Sequence, residues 1–202
     1  MRLIYDIGCN KGDFTDCYAD TCRVISVEAD KRTYLKCKDR FVNNPNVTVI
    51  NRLVSSVSNK ETDFWQCNWS VASSASKDWV FNGRFSGKKD WSKVKVESIT
   101  LDDLIDTYGV PDLIKIDVEG FELEVLKGLS GKAGIIAFEW SEEIWHKTIK
   151  CIEHLKSIGY TKFDYQYRDK PFKTDYNWQD FNKLEIDIKP ERKHNWGMLF
   201  SI

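Results

Sequence analysis

The stretch L-I-Y-D-I-G-C-N-K-G, Leu3 to Gly12, decides how the chain is read. Leu3 to Ile7 is a short, mostly apolar run that ends at Gly8, and from Gly12 to roughly Asp20 the spacing suits a helix. A strand, a tight loop and a helix follow one another. The same unit then recurs. Arg23 to Val27 is apolar and β-branched, ends at Glu28, and leads into a helical stretch from Lys31 to Phe41 that stops at Asn43-Asn44-Pro45. Val47 to Ile50 supplies a third strand. Three strands separated by two helices predict an α/β fold with a parallel, doubly wound sheet.

Residues 55–98 break this rhythm and read as an insertion. Glu61 to Cys67 and Lys93 to Ile99 have strand character, whereas Ser70 to Ser92, rich in Ser, Trp, Gly and Lys, reads as loop. Regular alternation returns with a capped helix at Thr100 to Tyr108, a fourth strand over Asp112 to Val118, and a helix from Phe121 to Lys127 with Gly128 as its C-cap. A fifth strand, Gly134 to Phe138, ends at Glu139. A long amphipathic helix from Glu142 to Ile158 stops at Gly159, and Thr161 to Tyr165 with Trp196 to Ile202 complete the sheet. Without repeats, low-complexity tracts or linkers, the 202 residues read as one domain.

Composition excludes several classes. A 42% hydrophobic, 30% charged and 13% aromatic chain buries a core, and a formal charge of −1 gives no electrostatic reason to expect a nucleic acid partner. No apolar run approaches the roughly 18 residues of a membrane helix, so membrane insertion is not expected. The N-terminus lacks the apolar core of a signal peptide, and a cytoplasmic location is expected. Six cysteines (9, 17, 22, 37, 67 and 151) form no C-x-x-C pair, are placed within elements rather than loops, and read as reduced thiols. Asn46-Val47-Thr48 and Asn68-Trp69-Ser70 match the glycosylation tripeptide by chance.

The first loop carries the chemistry. Its Gly8, Asn10 and Gly12 stand at two-residue spacing rather than as G-x-G-x-x-G, which argues against a dinucleotide pyrophosphate. Asp6 is placed to face a cationic group such as the ammonium of a methionine moiety. Twenty positions after Gly8, Glu28 closes the second strand, where a carboxylate accepts hydrogen bonds from ribose hydroxyls. The two features together point to an adenosyl ligand without a pyrophosphate. Asp6, Glu28, Asp117 and Glu139 collect at four strand ends, along the carboxyl edge where open sheets bind ligands.

With these features stand Ile99-Thr100-Leu101-Asp102-Asp103-Leu104 and the long motif P-D-L-I-K-I-D-V-E-G-F-E-L-E-V-L-K-G, Pro111 to Gly128. Over nearly its whole length the chain resembles the FkbM family of S-adenosylmethionine-dependent methyltransferases. The resemblance implies a Rossmann-like class I methyltransferase fold, with seven strands, the last antiparallel, and helices on both faces. It implies S-adenosylmethionine as donor and a hydroxyl oxygen, often on a sugar or glycan, as acceptor. Position by position, Asp6, Gly8, Cys9, Asn10 and Gly12 would form the methionine and ribose loop, and Glu28 would bind the ribose hydroxyls. Ala29 and Arg52 to Val54 would flank the adenine. Asp117 and Glu119 would sit beside the transferring methyl, and Glu139 matches a further acidic position. The small polar stretch Ser70 to Ser76, with Ser73 and Ser74, resembles the family's loop near cofactor and acceptor.

Methyl transfer is an in-line displacement at carbon, so the enzyme places the acceptor oxygen about 3 Å from the methyl and excludes water. A carboxylate takes the hydroxyl proton as attack proceeds. Asp117 is the first candidate base, followed by Glu119, Glu139 and His146; the structural alternatives are a cofactor amino-group contact, a helix cap, a pair with Lys115 and a surface position, respectively. His154 and His194 read as structural. No D-x-D cluster or histidine supports a divalent ion, and no metal is expected. Trp65, Trp69, Trp79 and Trp91 lie in or beside the insertion, with Trp140, Trp145 and Trp178 later. Trp69 and Trp140 are the candidate sugar platforms, against core packing as the alternative. Lys77, Arg84, Lys88, Lys89, Lys93 and Lys95 make the insertion locally basic, as a solvated face or toward an acidic acceptor.

Competing readings are weaker. Tyr34 and Lys38 have the Tyr-x-x-x-Lys spacing of a short-chain dehydrogenase but fall on a helix remote from the crevice. D-V-E-G stands where amino-group methyltransferases carry a Pro-Pro-aromatic turn, which favours oxygen as the acceptor; a non-sugar small molecule and a non-catalytic binding module are the alternatives. Most relatives have a helical stretch before the first strand. Here Asp6 is almost at the start, so a module of a longer polypeptide with glycan-building neighbour domains is expected.

Overall fold

The computed structural model describes residues 1–87, 90–168, 172–187 and 196–202. β1 (Leu3–Ile7) is buried at all five positions, as befits a central strand covered on both faces. After α1 (Asp13–Asp16) come β2 (Arg23–Val27), α2 (Lys31–Arg40) and β3 (Val47–Ile50). The insertion contributes β4 (Leu53–Val54), β5 (Glu61–Cys67), a 3-10 turn at Ser70–Ala72, α3 (Lys77–Asn82) and β6 (Trp91–Ile99). α4 (Leu101–Tyr108), β7 (Leu113–Ile116), α5 (Glu122–Leu126), β8 (Ile135–Ser141), α6 (Trp145–Ser157), β9 (Phe163–Tyr167), α7 (Phe181–Asp187) and β10 (Trp196–Ser201) follow.

The main sheet has seven strands in the order β3-β2-β1-β7-β8-β10-β9. β1 pairs in parallel with β2 and β7, β2 with β3, and β7 with β8, while β10 runs antiparallel to both β8 and β9. This is the seven-stranded, mostly parallel α/β sheet with an antiparallel final strand that the family resemblance implied. The chain order reverses at β1, so the crevice opens beside the carboxyl ends of β1, β2 and β7. The main core joins Tyr5, Ile114, Ile116, Ile136 and Phe138 of the strands to Leu101, Leu104, Val125, Ile152 and Leu155 of the helices. A separate three-stranded sheet, β4-β6-β5, holds the insertion together.

Several boundaries differ from expectation. The helix expected from Gly12 to Asp20 is only the four residues of α1, because Gly12 offers no side-chain cap and β-branched and aspartate residues with weak helix propensity follow. Ser70 to Ser92 is not all loop: Ser76 accepts a hydrogen bond from the Trp79 amide and caps α3. The fifth strand runs on to Ser141, because β10 pairs with it from Trp196 opposite Ser141 to Ser201 opposite Ile136. Glu139 therefore lies inside β8 rather than at its end. The following helix begins as a 3-10 turn, Glu142–Ile144, before α6. The cysteines are all free, yet Cys9, Cys17 and Cys22 lie in loops and turns, not within elements. Among the described residues, no helix is long and apolar enough to cross a membrane.

Candidate active site

The turn after β1 is shaped by Gly8, which has φ +78° and lies so close to β7 that a Cβ would fall 1.9 Å from the Asp117 carbonyl oxygen. Its amide donates to Val27 O, tying the turn to the end of β2. At that end stands Glu28. The Asn10 amide donates to Glu28 Oε2 at 2.8 Å and the Asp30 amide to Oε1 at 2.8 Å, so each carboxylate oxygen already holds one backbone donor. Burial pushes the Glu28 carboxyl up to about 7, with those two hydrogen bonds opposing the rise. Asp30 is a second anchor: it caps α2, pairs with Arg32, and accepts from Gln66 Nε2 of β5 and from Ser73 Oγ. The insertion is thereby fastened to the end of β2. Sequence reasoning missed Asp30, Arg32 and Gln66, although Asp30 preceding a helix is a readable N-cap signal.

A cleft of about 650 Å³ opens here. Glu28 and Ala29 line it beyond β2 and Asp117, Val118 and Glu119 beyond β7, with Gly8 and Asn10 of the β1 turn between them and Arg52, Leu53, Val54, Phe64 and Phe121 also in the lining. Ser73 also lines it. Three residues expected in the first loop do not. Asp6 is wholly buried, accepts from Thr15 Oγ1 at 2.7 Å and forms an ion pair with Lys115 Nζ at 3.3 Å; it sits inside β1 with its charge already matched, not facing a ligand. Cys9 is buried with its Sγ 3.7 Å from that of Cys37. Gly12 caps α1, with Phe41 and Cys37 against it.

The motif D-V-E-G-F-E builds the opposite end. Glu119 and Gly120 both have positive φ, +55° and +83°. The Val118 and Gly120 amides donate to Glu122 Oε1 at 3.3 and 3.1 Å, so the second glutamate of the motif holds this strained turn from within. Burial pushes the Glu122 carboxyl up to about 7, opposed by backbone hydrogen bonds. Ser74 is buried and donates to Glu119 O at 2.7 Å, and Lys147 Nζ donates to Gly120 O and Ser76 Oγ. The insertion thus also clamps this turn. Glu119 caps no helix, since the N-cap of α5 is Phe121 without a side-chain bond.

This turn brings Asp117 and Glu119 to Glu139 of β8, with carboxylate oxygens all within 4.8 Å of one another. Such an oxygen set has the spacing that a hard cation takes, and it gathers three of the acids that the sequence placed along the carboxyl edge. Among the described residues neither Glu119 nor Glu139 has a hydrogen bond or ion pair through its carboxylate. Burial first, and then the neighbouring carboxylates, hold both well above the usual carboxylate range. Glu139 does not pair with Lys115, whose ammonium lies 3.3 Å from Asp117 Oδ2 as well as beside Asp6.

His146 is exposed on the first turn of α6 and lies outside the cleft lining, because the longer β8 and the 3-10 turn delay the helix. Trp140 is wholly buried between Trp145 and Tyr167, whose rings meet it near the perpendicular, and presents no face to a sugar. It alternates with Glu139 along β8 and so points to the opposite side of the sheet. Trp69 is half exposed, edge to face with Phe85 at 5.1 Å. Of the basic residues, Lys93 and Lys95 pair with Asp63, and Arg84 turns inward to Glu143 and Ser141. Lys88, Lys89 and His194 lie outside the described residues.

The seven-stranded order and the glycine turn facing an acid at the next strand end define the class: a Rossmann-like methyltransferase of class I, which uses S-adenosylmethionine. The chain belongs to the FkbM methyltransferase family, the Methyltransferase FkbM domain matching residues 6–165. No functionally curated protein matches it. Among solved structures it is similar to a precorrin-6y C5,15-methyltransferase from Geobacter metallireducens, at 11% identity and a TM-score of 0.52, over 100% of this chain and 79% of that one. It also aligns with Aeropyrum pernix fibrillarin with natively bound S-adenosyl-L-methionine (9% identity, TM-score 0.47, 100% and 66% covered). A third is an S-adenosylmethionine-dependent O-methyltransferase from Thermotoga maritima (12% identity, TM-score 0.47, 99% and 58% covered).

Proposed function

We propose that this methyltransferase acts on a hydroxyl oxygen of a sugar or glycan, with Asp117 as the base. The cleft suits an adenosyl donor: apolar Leu53, Val54 and Phe64 can flank the adenine, and Glu28 retains a free acceptor direction on each oxygen for the ribose hydroxyls. Gly8 and Asn10 would border the methionine arm. S-adenosylmethionine supplies an electrophilic methyl group when bound; the chain's own task is to orient the acceptor, exclude water and take one proton.

The observation that carries the reading is the carboxylate group at the far end of the cleft. Oxygen acceptors require a base at the moment of attack, because an alcohol is too weak an acid to ionise beforehand. Asp117 has a cationic partner in Lys115, whereas Glu119 and Glu139 are held toward their neutral forms. Asp117 thus receives the acceptor proton at Oδ1 or Oδ2 as its oxygen bonds to the methyl carbon, and the neutral carboxyls donate hydrogen bonds to the remaining sugar hydroxyls. Trp69, half exposed beside Ser70 of the cleft lining, is the aromatic of the insertion that a sugar would meet. Six free cysteines support a reducing, cytoplasmic setting.

The test is calorimetry of S-adenosylmethionine and its demethylated product on the wild type and on Glu28→Ala, followed by a panel of glycan, nucleotide-sugar and non-sugar alcohol acceptors with Asp117→Ala as control. Turnover confined to the sugar acceptors supports the reading; turnover confined to non-sugar alcohols, or to amines, overturns it.

A further inference from the structure

Lys115 stands on the central strand β7 of a sheet buried on both faces, where apolar residues are the rule. It is paired in register with Asp6 of β1, and its side chain is nine-tenths buried. The ammonium lies 3.3 Å from Asp6 Oδ1 and 3.3 Å from Asp117 Oδ2, and it donates to the Gly8 carbonyl at 3.3 Å. Burial alone would push the ammonium down, but the charges of Asp6 and Asp117 outweigh it and keep the group protonated.

A buried ion pair adds little stability over apolar side chains of the same volume, so stability alone does not account for the Asp6 and Lys115 pair. Its geometry does more than balance a charge. The end of β1 with its glycine turn and the carboxylate that follows β7 come from two distant stretches of chain, and one ammonium touches Asp6, Gly8 and Asp117 across them. Asp6 anchors that ammonium from below, with Thr15 fixing the other carboxylate oxygen.

We propose that Lys115 is a positioning residue of the methyl-transfer end: it fixes the Asp117 carboxylate relative to the Gly8 carbonyl and so sets how strongly the site prefers the sulfonium of the donor over the neutral thioether of the product. The inference rests on the reading of Asp117 as lying beside the methyl group. A carboxylate held in place attracts a sulfonium through a medium of low effective dielectric, whereas one free to swing into water is screened from it. Lys115 thereby favours loading of the charged donor and release of the neutral product from the same pocket.

The experiment compares dissociation constants of S-adenosylmethionine and S-adenosylhomocysteine, by calorimetry at one pH, for the wild type, Lys115→Arg, Asp117→Asn and the double variant Asp6→Asn with Lys115→Met. The double variant removes the buried cation and its buried counter-charge together, which leaves neither unpaired and the net charge of the site unchanged. The preference for sulfonium over thioether is expected to fall about tenfold in the double variant, toward the Asp117→Asn value, and to stay within about threefold of wild type in Lys115→Arg. An unmoved preference in the double variant overturns the proposal, as does an equal loss of affinity for both ligands, the mark of a purely structural lysine. Absence of binding even to the wild type overturns the cofactor reading and this inference with it, a result distinct from an unmoved preference.

Discussion

The two ends of the cleft are both acidic, yet they are built in opposite ways. At the end proposed for the nucleoside, Glu28 holds a backbone amide on each oxygen, and Asp30 gathers donors from α2, β5 and the Ser73 loop. At the end proposed for methyl transfer, Glu119 and Glu139 hold none, and Asp117 has only the shared ammonium of Lys115. The first end is a finished receptor whose groups are satisfied before any ligand arrives. The second is left open at a cost in stability, since Glu139 is buried and Glu119 half-buried without a hydrogen-bond partner.

Breaking the open end has the largest effect. Asp117→Asn is expected to lower kcat about a thousandfold, the scale of a lost general base, while donor affinity falls no more than about tenfold. Single-turnover methyl transfer and calorimetry measure the two. If affinity fell as far as turnover, Asp117 would belong to the nucleoside end, and the contrast between the ends would collapse.

Next in size is the cost of the strained turn. The Glu122 carboxyl lies at about 7 against an ordinary 4.5, and a carboxyl raised on folding contributes stability in full below about 4.5 that is lost as pH rises through about 7. The ligand-free protein should therefore be less stable toward urea at pH 8 than at pH 5.5, with Glu122 accounting for up to about 2 kcal/mol of the difference. Glu122→Gln keeps an oxygen for the Val118 and Gly120 amides and should flatten that part of the slope. An unchanged slope in the variant would place the titration elsewhere in the acidic cluster.

At the finished end, Glu28→Ala should weaken donor binding about a hundredfold, as expected for two hydrogen bonds to a charged acceptor. The Glu28 carboxyl also lies at about 7, so wild-type donor affinity should rise as pH climbs through that value, and Glu28→Gln should lose the dependence. Affinity that is flat with pH in the wild type would mean that the ribose hydroxyls are held by other groups.

The finished end was also the more legible one. Gly8, Glu28 and the alternation of strands and helices are local features, fixed by sterics and by the twenty-residue length of one unit. The open end depends on contacts that no local pattern carries. Asp6 has the spacing of a ligand group, but the register of β1 against β7 puts Lys115 beside it. Glu139 looked like a strand terminus until its pairing with β10 extended β8 past it, and the same extension moved His146 out to solvent. Two signals could have been read: Lys115 stands two residues before Asp117 and so shares its face of the strand, and Glu122 stands two residues after a glycine, where a carboxyl can bond the turn it follows.

The smallest expected effect separates the two tryptophans that one aromatic argument treated alike. Trp140 is sealed in the core, and its loss would be a loss of packing. Trp69 is half exposed, with Phe85 edge to face against it. Trp69→Ala should change stability by less than about 1 kcal/mol, as surface substitutions usually do, and leave donor affinity unaltered. Acceptor KM should rise about fivefold, the order of one stacking contact, with kcat nearly constant. That split would assign the insertion's rim to the acceptor and make the open end a three-sided site of turn, strand and rim. A stability loss above about 2 kcal/mol with acceptor KM unmoved would instead return Trp69 to the packing of the insertion, leaving the acidic turn to select the acceptor by its hydroxyls alone.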